Sequence, residues 1–235
     1  MVTITCENCA DLMARFPDGY FDLAICDPPF GNNTAVERGT GHWAERHVPR
    51  RKKWDAAPGA DYFTDLFRVS KHQIIFGAQF YTNLLPVRRG WVCWYKSDEV
   101  KGRSFSEFEL AWTSWNIAAR HFTYKPFIKD GQRYHPNQKP IELYAWLLST
   151  YAKPGWKILD THMGSGSSVI ACHNAGFDVW ACEIDADYFK DAKRRIDCVV
   201  KQQELFRDVP EVAPRVEKTL FDELIGGDGA LAQGW

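Results

Sequence analysis

Residues 22–31 read DLAICDPPFG, an apolar run cut short by two adjacent prolines. A strand inside a sheet needs its backbone donors, and proline has none. The strand therefore stops at Cys26, and Asp27-Pro28-Pro29-Phe30 forms a stiff loop at its carboxyl end. A carboxylate, fixed carbonyls and an aromatic face are thus gathered at the rim of a sheet.

The remaining pattern says which kind of sheet. VTITC (2–6), QIIFG (73–77), GWVCWY (90–95), ELAWTS (109–114), WKILD (156–160) and DVWACE (178–183) are short, rich in β-branched or aromatic residues, and bounded by turn formers. Between them Ile141, Tyr144, Ala145, Leu148 and Ala152 fall on one helical face, as do Phe189, Ala192, Ile196, Val199 and Val200. Strands alternating with helices predict an α/β domain with a largely parallel sheet. Three stretches break the alternation: a long basic insert at 31–58, an irregular segment at 115–138, and a tail at 207–235 that ends in GGDGALAQGW. Within the tail TLFDELI (219–225) has the pattern of a short docking helix.

A chain of 235 residues with 45% hydrophobic composition can bury a full core, so one large domain with embellishments is expected. No apolar run approaches the roughly 20 residues of a membrane span, and MVTITCENC lacks the charged-then-apolar layout of a signal peptide. The expected location is the cytoplasm, with no membrane contact. Seven scattered cysteines argue for reduced thiols, and Cys6-Glu7-Asn8-Cys9 has no second pair at metal-ligand spacing, so no metal is expected. Cys26 reads as a core residue.

Net charge is −1, but its distribution is uneven. Residues 37–53 carry +4, residues 120–139 carry +4, and Glu204–Asp228 carries −4. Aromatic residues (Trp43, Trp54, Phe122, Tyr124, Phe127, Tyr134) are interleaved with or flank the basic runs, a combination that suits nucleic acid. The candidate contacts are Arg46, Arg50, Arg51, Lys52, Lys53, Arg120, Lys125, Lys129 and Arg133.

A second motif, KILDTHMGSGSSVIACHNAG (157–176), reads as strand, glycine turn and helix. Gly164 and Gly166 permit a tight turn, and Ser165, Ser167 and Ser168 offer hydroxyls and amides at a helix N-terminus. Position 169 is Val, so the third glycine of the dinucleotide fingerprint is missing and NAD is disfavoured. Glu183 ends the next strand, 23 residues after Asp160, where a carboxylate can accept both hydroxyls of a ribose; Asp185 suits a helix cap. A third stretch, HPNQKP (135–140), precedes a helix and offers Asn137, Gln138 and Lys139 for cofactor contact.

DPPF, HPNQKP and DTHMGSG, in that chain order, resemble the beta group of S-adenosylmethionine-dependent DNA amino-methyltransferases, over roughly residues 1–200. The usual forms there are DPPY, HPTQKP and DPFxGSG. The resemblance implies a Rossmann-like methyltransferase fold, a mainly parallel seven-stranded sheet with helices on both faces, in circularly permuted motif order. It implies a methyltransferase domain over 1–206 with a short target-recognition segment at 115–138. It also implies S-adenosyl-L-methionine as methyl donor, S-adenosyl-L-homocysteine as product, DNA as partner, a bacterial or phage-infected host cell, and room for a homodimer. Asp27, Pro28, Pro29 and Phe30 take the catalytic places. Asp160, Gly164, Ser165, Gly166, Ser167, Ser168 and Glu183 take cofactor places, joined by Asn8 through its amide and by Asn137, Gln138 and Lys139. Phe30 stands where tyrosine is usual, Thr161-His162 where Pro-Phe is usual, and Glu7-Asn8-Cys9 where Gly-Asp-Cys is usual. His162 reads as packing.

The expected chemistry follows from the groups. An exocyclic amine is a poor nucleophile because its lone pair is delocalised into the ring. Asp27 and the Pro28 carbonyl can each accept one amine hydrogen, and Phe30 can stack a base flipped out of the helix. The resemblance favours adenine N6, with cytosine N4 as the alternative. RNA adenine, a glutamine side chain, and a cofactor- and DNA-binding subunit without turnover are further readings. The short recognition segment predicts lax or short-site specificity.

Overall fold

The computed structural model describes residues 1–31, 56–103, 106–126, 134–135 and 137–207. Met1–Lys201 forms one compact unit; a second comprises Gln202–Trp235, whose described part is helical. Residues 32–55 of the 31–58 insert, the tail beyond 207 and the basic residues Arg46, Arg50, Arg51, Lys52, Lys53, Lys129 and Arg133 lie outside the described residues.

In chain order the described elements are β1 (Val2–Cys6), α1 (Cys9–Ala14), β2 (Phe21–Cys26), α2 (Ala60–Val69), β3 (Ser70–Phe76), β4 (Trp91–Tyr95), β5 (Phe108–Thr113) and β6 (Arg120–Thr123). There follow α3 (Ile141–Tyr151), β7 (Lys157–Asp160), α4 (Ser167–Asn174), β8 (Asp178–Glu183) and α5 (Ala186–Arg207). Among the described residues these strands form one eight-stranded sheet, in the order β1-β8-β7-β2-β3-β5-β4-β6. The five strands from β1 to β3 are parallel; β5 runs antiparallel to both β3 and β4, and β6 runs parallel to β4. The expected sheet of seven strands thus gains β6. RHFT is short and largely exposed, so it carries no apolar alternation; it becomes a strand by pairing with β4, Val92 against Arg120 through Tyr95 against Thr123.

Alternate residues of the central strands feed two cores. On one face Leu23, Ile25, Ile74, Phe76, Ile158 and Val179 pack with Leu143 and Leu147 of α3, Val169 and Ile170 of α4, and Ala192 and Ile196 of α5. On the other Ala24, Cys26, Ile75, Leu159, Trp180 and Cys182 pack with Leu12 and Met13 of α1 and with Tyr62, Phe63 and Leu66 of α2. The α3 stripe is rotated from expectation: Leu143 and Leu147 are buried, while Ala145 is exposed. Cys26 belongs to the core as expected, and burial pushes its thiol up to about 12. Among the described residues no helix is long and apolar enough to cross a membrane, and no cluster of three metal-ligating side chains occurs.

The direction of the strands positions the site. β8, β7, β2 and β3 all end at one edge of the sheet. Because β5 is antiparallel, it begins there, and β4, paired Trp94 to Glu109, ends there too. The chain leaves β7 toward β8 but leaves β2 toward β3, so the order reverses between two neighbouring strands. A crevice at such a reversal is the habitual ligand position of open α/β sheets.

Gly166 fixes the junction between β7 and α4. It has φ +75°, and a Cβ there would lie 2.8 Å from Cδ1 of Ile196 on α5. Gly166→Ala is expected to combine left-handed backbone cost with overpacking, about 2–4 kcal/mol together; a denaturant midpoint indistinguishable from wild type would show that this contact does not tie α5 to the turn.

Candidate functional site

The loop after β2 is held from below. Pro28 is buried, and the Tyr81 hydroxyl donates to the Pro29 carbonyl and lies 3.2 Å from that of Pro28. The Phe30 ring lies directly over Gly77, where a Cβ would come within 2.1 Å of it, and stacks on Phe80 at 5.3 Å between centroids and 21° between planes. Gly77, at φ +67°, therefore makes room for the aromatic face.

Asp27 is 17% exposed in its side chain, and its two oxygens differ. Oδ2 is ion-paired with Lys139 Nζ, whereas Oδ1 is buried with no hydrogen-bond partner. Lys139 is shared: its Nζ lies 3.2 Å from Glu109 Oε2, while Glu109 Oε1 lies 2.7 Å from Lys96 Nζ. Burial pushes the Asp27 carboxyl above the usual range, the Lys139 cation pulls it back, and Glu109 raises it again. Burial also works against the charge of Glu109, yet Lys139 and Lys96 outweigh it and hold that carboxyl below its usual range. Lys139 stays above its ordinary value because Asp27 and Glu109 overcome the effect of burial. Lys139, a sequence candidate for cofactor contact, meets Asp27 in the structure. Its ammonium also lies 4.7 Å from the Phe76 ring centroid.

The glycine turn leaves β7 next to this loop. Glu183 at the end of β8 accepts from the Gly164 amide at 3.1 Å and the Asp185 amide at 2.9 Å, and remains partly exposed. Burial raises its carboxyl, with these amides opposing. Asp185 caps α5, accepting from the Asp187 and Tyr188 amides at 2.9 and 3.1 Å.

The serine hydroxyls do not present themselves to a ligand as expected. Ser168 donates to Asp160, Ser167 accepts from Arg195 at 2.9 Å, and Ser165 and Ser167 are 3.2 Å apart, all three buried. Asp160 likewise faces inward, accepting from Ser168 and the His162 amide; burial lifts it to about 7. These side chains brace the turn, which leaves its backbone to meet a ligand.

The 134–140 segment joins the two loops. His135 sits 3.5 Å from where a Gly164 side chain would begin and packs edge-on to Tyr188, while Arg195 lies 5.3 Å from the Tyr134 ring and donates to the Ser165 carbonyl. Gln138 is buried and accepts from the Tyr134 amide at 3.0 Å; Asn137 is exposed, its amide directed at His135 Nδ1. Asn8 departs from expectation: its Oδ1 caps α1 by accepting from the Ala10 amide at 2.9 Å. His162 packs against Tyr62, and burial depresses its pKa to about 4. Of the described basic residues, Lys125 follows β6 at the motif-bearing edge, whereas Arg120 begins β6 at the opposite edge.

Sequence reasoning missed Tyr81, Lys96 and Glu109. The signal for Glu109 was available, since a carboxylate inside an otherwise apolar strand demands a buried partner.

Comparison with known proteins follows the same lines. Residues 86–194 match the N6_N4_Mtase family, described as DNA methylase. The type II methyltransferase M.HpaI of Haemophilus parainfluenzae is 19% identical over 266 residues, covering 94% of this chain and 82% of that one. The M1.HpyAVI–SAM complex superposes with a TM-score of 0.57 at 18% identity, covering 84% of this chain and all of the other (100%). TTHA0409 from Thermus thermophilus, complexed with S-adenosyl-L-methionine, gives 0.55 at 15%, covering 85% and 95%. The cytosine-N4-specific PvuII DNA methyltransferase gives 0.57 at 11%, covering 86% and 92%. The fold is that of the Rossmann-like DNA methyltransferases, and residues 86–194 are similar to the N6/N4 DNA methylase family.

Proposed function

We propose that this protein methylates the exocyclic N6 amine of adenine in DNA, with S-adenosyl-L-methionine as methyl donor. The observation that carries the reading is the unpartnered Asp27 Oδ1, beside a glycine turn that leaves the adjacent parallel strand at the same edge. A buried acceptor without a donor costs about 1–3 kcal/mol. An amine hydrogen supplies the missing donor, and the Pro28 carbonyl accepts the second. The M1.HpyAVI and TTHA0409 complexes support the cofactor assignment, because both carry this fold and hold S-adenosylmethionine.

The residues present fit such a donor. Glu183 stands partly exposed at the end of β8 to take ribose hydroxyls, exchanging its bond to the Gly164 amide, and Gly164 brings backbone close. Asn137 is exposed, with its backbone amide directed at His135, which lies against the same turn. The donor supplies a methyl carbon already activated by a sulfonium.

Asp27 and Pro28 hold the amine so that its lone pair becomes available, and Phe30 stacks the extruded base. Nitrogen bonds the methyl carbon as the carbon–sulfur pair returns to sulfur, and Asp27 Oδ1 takes the surplus N–H proton before solvent. Cys26 has no part, since its thiol is buried and held neutral.

Cytosine N4 is the second reading, favoured by the PvuII enzyme among the structural neighbours. Methylating DNA with the full chain and weighing the digested nucleosides separates the two: N6-methyldeoxyadenosine is expected, N4-methyldeoxycytidine would transfer the assignment to cytosine, and neither product would remove the proposed activity. Asp27→Asn is expected to keep S-adenosylmethionine affinity within about twofold and to lower the transfer rate by roughly 10²–10³-fold; an undiminished rate would exclude Asp27 from the reaction. Specificity is proposed to be lax or short-site, with phosphate contacts dominant. DNA affinity should then fall steeply between 50 and 200 mM salt, and methylation confined to one long site would contradict this.

A further inference from the structure

The four charged groups Asp27, Lys139, Glu109 and Lys96 form an alternating, largely buried chain that the methyl-transfer reading leaves partly unexplained. Lys139 is 3% exposed and Lys96 10%, and aromatic rings flank both, Phe76 at 4.7 Å and Trp94 at 5.3 Å. Next to Lys96, Ser97 takes φ +90°, the one positive value among the described non-glycine residues, and its hydroxyl is buried without a partner. Backbone strain of this kind persists where surrounding structure imposes it, and it clusters at functional sites.

We propose that Glu109 is a positioning residue for Asp27: by sharing the Lys139 ammonium, and being held in turn by Lys96, it fixes that ammonium on Asp27 Oδ2 and keeps Oδ1 open to the target amine. The inference rests on the proposed role of Asp27 in methyl transfer. Without Glu109 the ammonium can swing across both carboxylate oxygens and compete with the amine for Oδ1. Glu109 touches neither base nor methyl donor in this scheme; it acts through Lys139. The chain also divides electrostatic labour. Lys139 favours the ionised, accepting form of Asp27, and Glu109, a like charge nearby, opposes it.

The groups facing Asp27 are Lys139 from the 134–140 segment, Glu109 of β5, Lys96 after β4, Tyr144 of α3 and Asp160 at the end of β7. Tyr144 is buried and raised well above its usual range, so it stays neutral at working pH. Burial, joined by the Asp27 charge, lifts Asp160 to about 7, so the Asp27 carboxyl signal is the one followed between variants.

Two measurements test the proposal on the full chain. The first is the pH profile of single-turnover methyl transfer; the second is the ¹³C NMR titration of the Asp27 carboxyl, which needs no activity. Lys139→Met removes the favouring cation, so both midpoints should move to higher pH by about one unit or more. Glu109→Gln removes the opposing charge, so both should move to lower pH, while the plateau rate falls by about tenfold and KM for S-adenosylmethionine stays within about twofold. Opposite signs are the signature, because loss of packing alone would lower the melting temperature of both variants and move neither midpoint. Lys139→Arg should restore the wild-type midpoint. If Lys139→Met does not fold, Glu109→Gln decides alone: an unshifted or raised Asp27 midpoint, or an undiminished plateau, overturns the proposal. Asp27→Asn distinguishes the two levels. If it transfers methyl at the wild-type rate, the role of Asp27 fails; if it is inactive while the Glu109 variant behaves as wild type, only the positioning role fails.

Discussion

A few backbone bonds between β2 and β7 organise everything else. Leu23 pairs with Ile158 and Ala24 with Leu159, and the Lys157 amide donates to the Asp22 carboxylate at 3.0 Å. These positions are far apart in the chain, yet their pairing puts the ends of β2 and β7 side by side. Because the pairing is parallel, both exits face the same edge; an antiparallel register would have sent the glycine turn to the far side. Burial on both faces enforces this register, since a one-residue slip would exchange Ala24 and Cys26 with Leu23 and Ile25 between cores of different shape.

The charged chain beneath Asp27 is not what holds this fold together. Taking four charges largely out of water is costly, and well-packed apolar residues in such places are often as stable or more so. Its members come from four separate segments: the end of β2, the residue after β4, the start of β5 and the approach to α3. Those segments converge only at the edge that carries the glycine turn and Phe30. A costly polar network at that edge makes sense as an arrangement for holding one carboxylate in one pose, because low dielectric strengthens each interaction and prearranged groups need little reorganisation during a reaction.

Much of the fold was legible because its signals are local. Two prolines end β2, apolar runs mark the central strands, and Glu183 closes β8 where the pattern of DVWACE stops. What escaped was set by tertiary partners. RHFT is a strand only because β4 offers it an edge. The short α1 and the amphipathic α2 were not read at all, although Tyr62, Phe63, Leu66 and Val69 do show helical spacing. At the site, sequence places Lys139 near the cofactor motifs but cannot say which carboxylate it meets. Asn8 offered an amide, and its oxygen caps the first turn of α1. The serines of the glycine turn looked like ligand donors, yet Asp160 engages the Ser168 hydroxyl, Arg195 that of Ser167, and Ser165 lies against Ser167.

That inward turn of the hydroxyls bears on how the site can discriminate. A turn that read its ligand through serine hydroxyls could rotate them to suit several partners. Here the hydroxyls are committed, and the partly exposed carboxylate of Glu183 is held by the Gly164 and Asp185 amides at the end of β8. The loop after β2 is built the same way. Tyr81 pins two proline carbonyls, Gly77 admits the Phe30 ring, and Phe80 stacks against it. Both halves are therefore braced by their own contacts, and Tyr134, His135 and Lys139 touch them. His135 over the turn and Lys139 on Asp27 place this stretch against both the turn and the carboxylate.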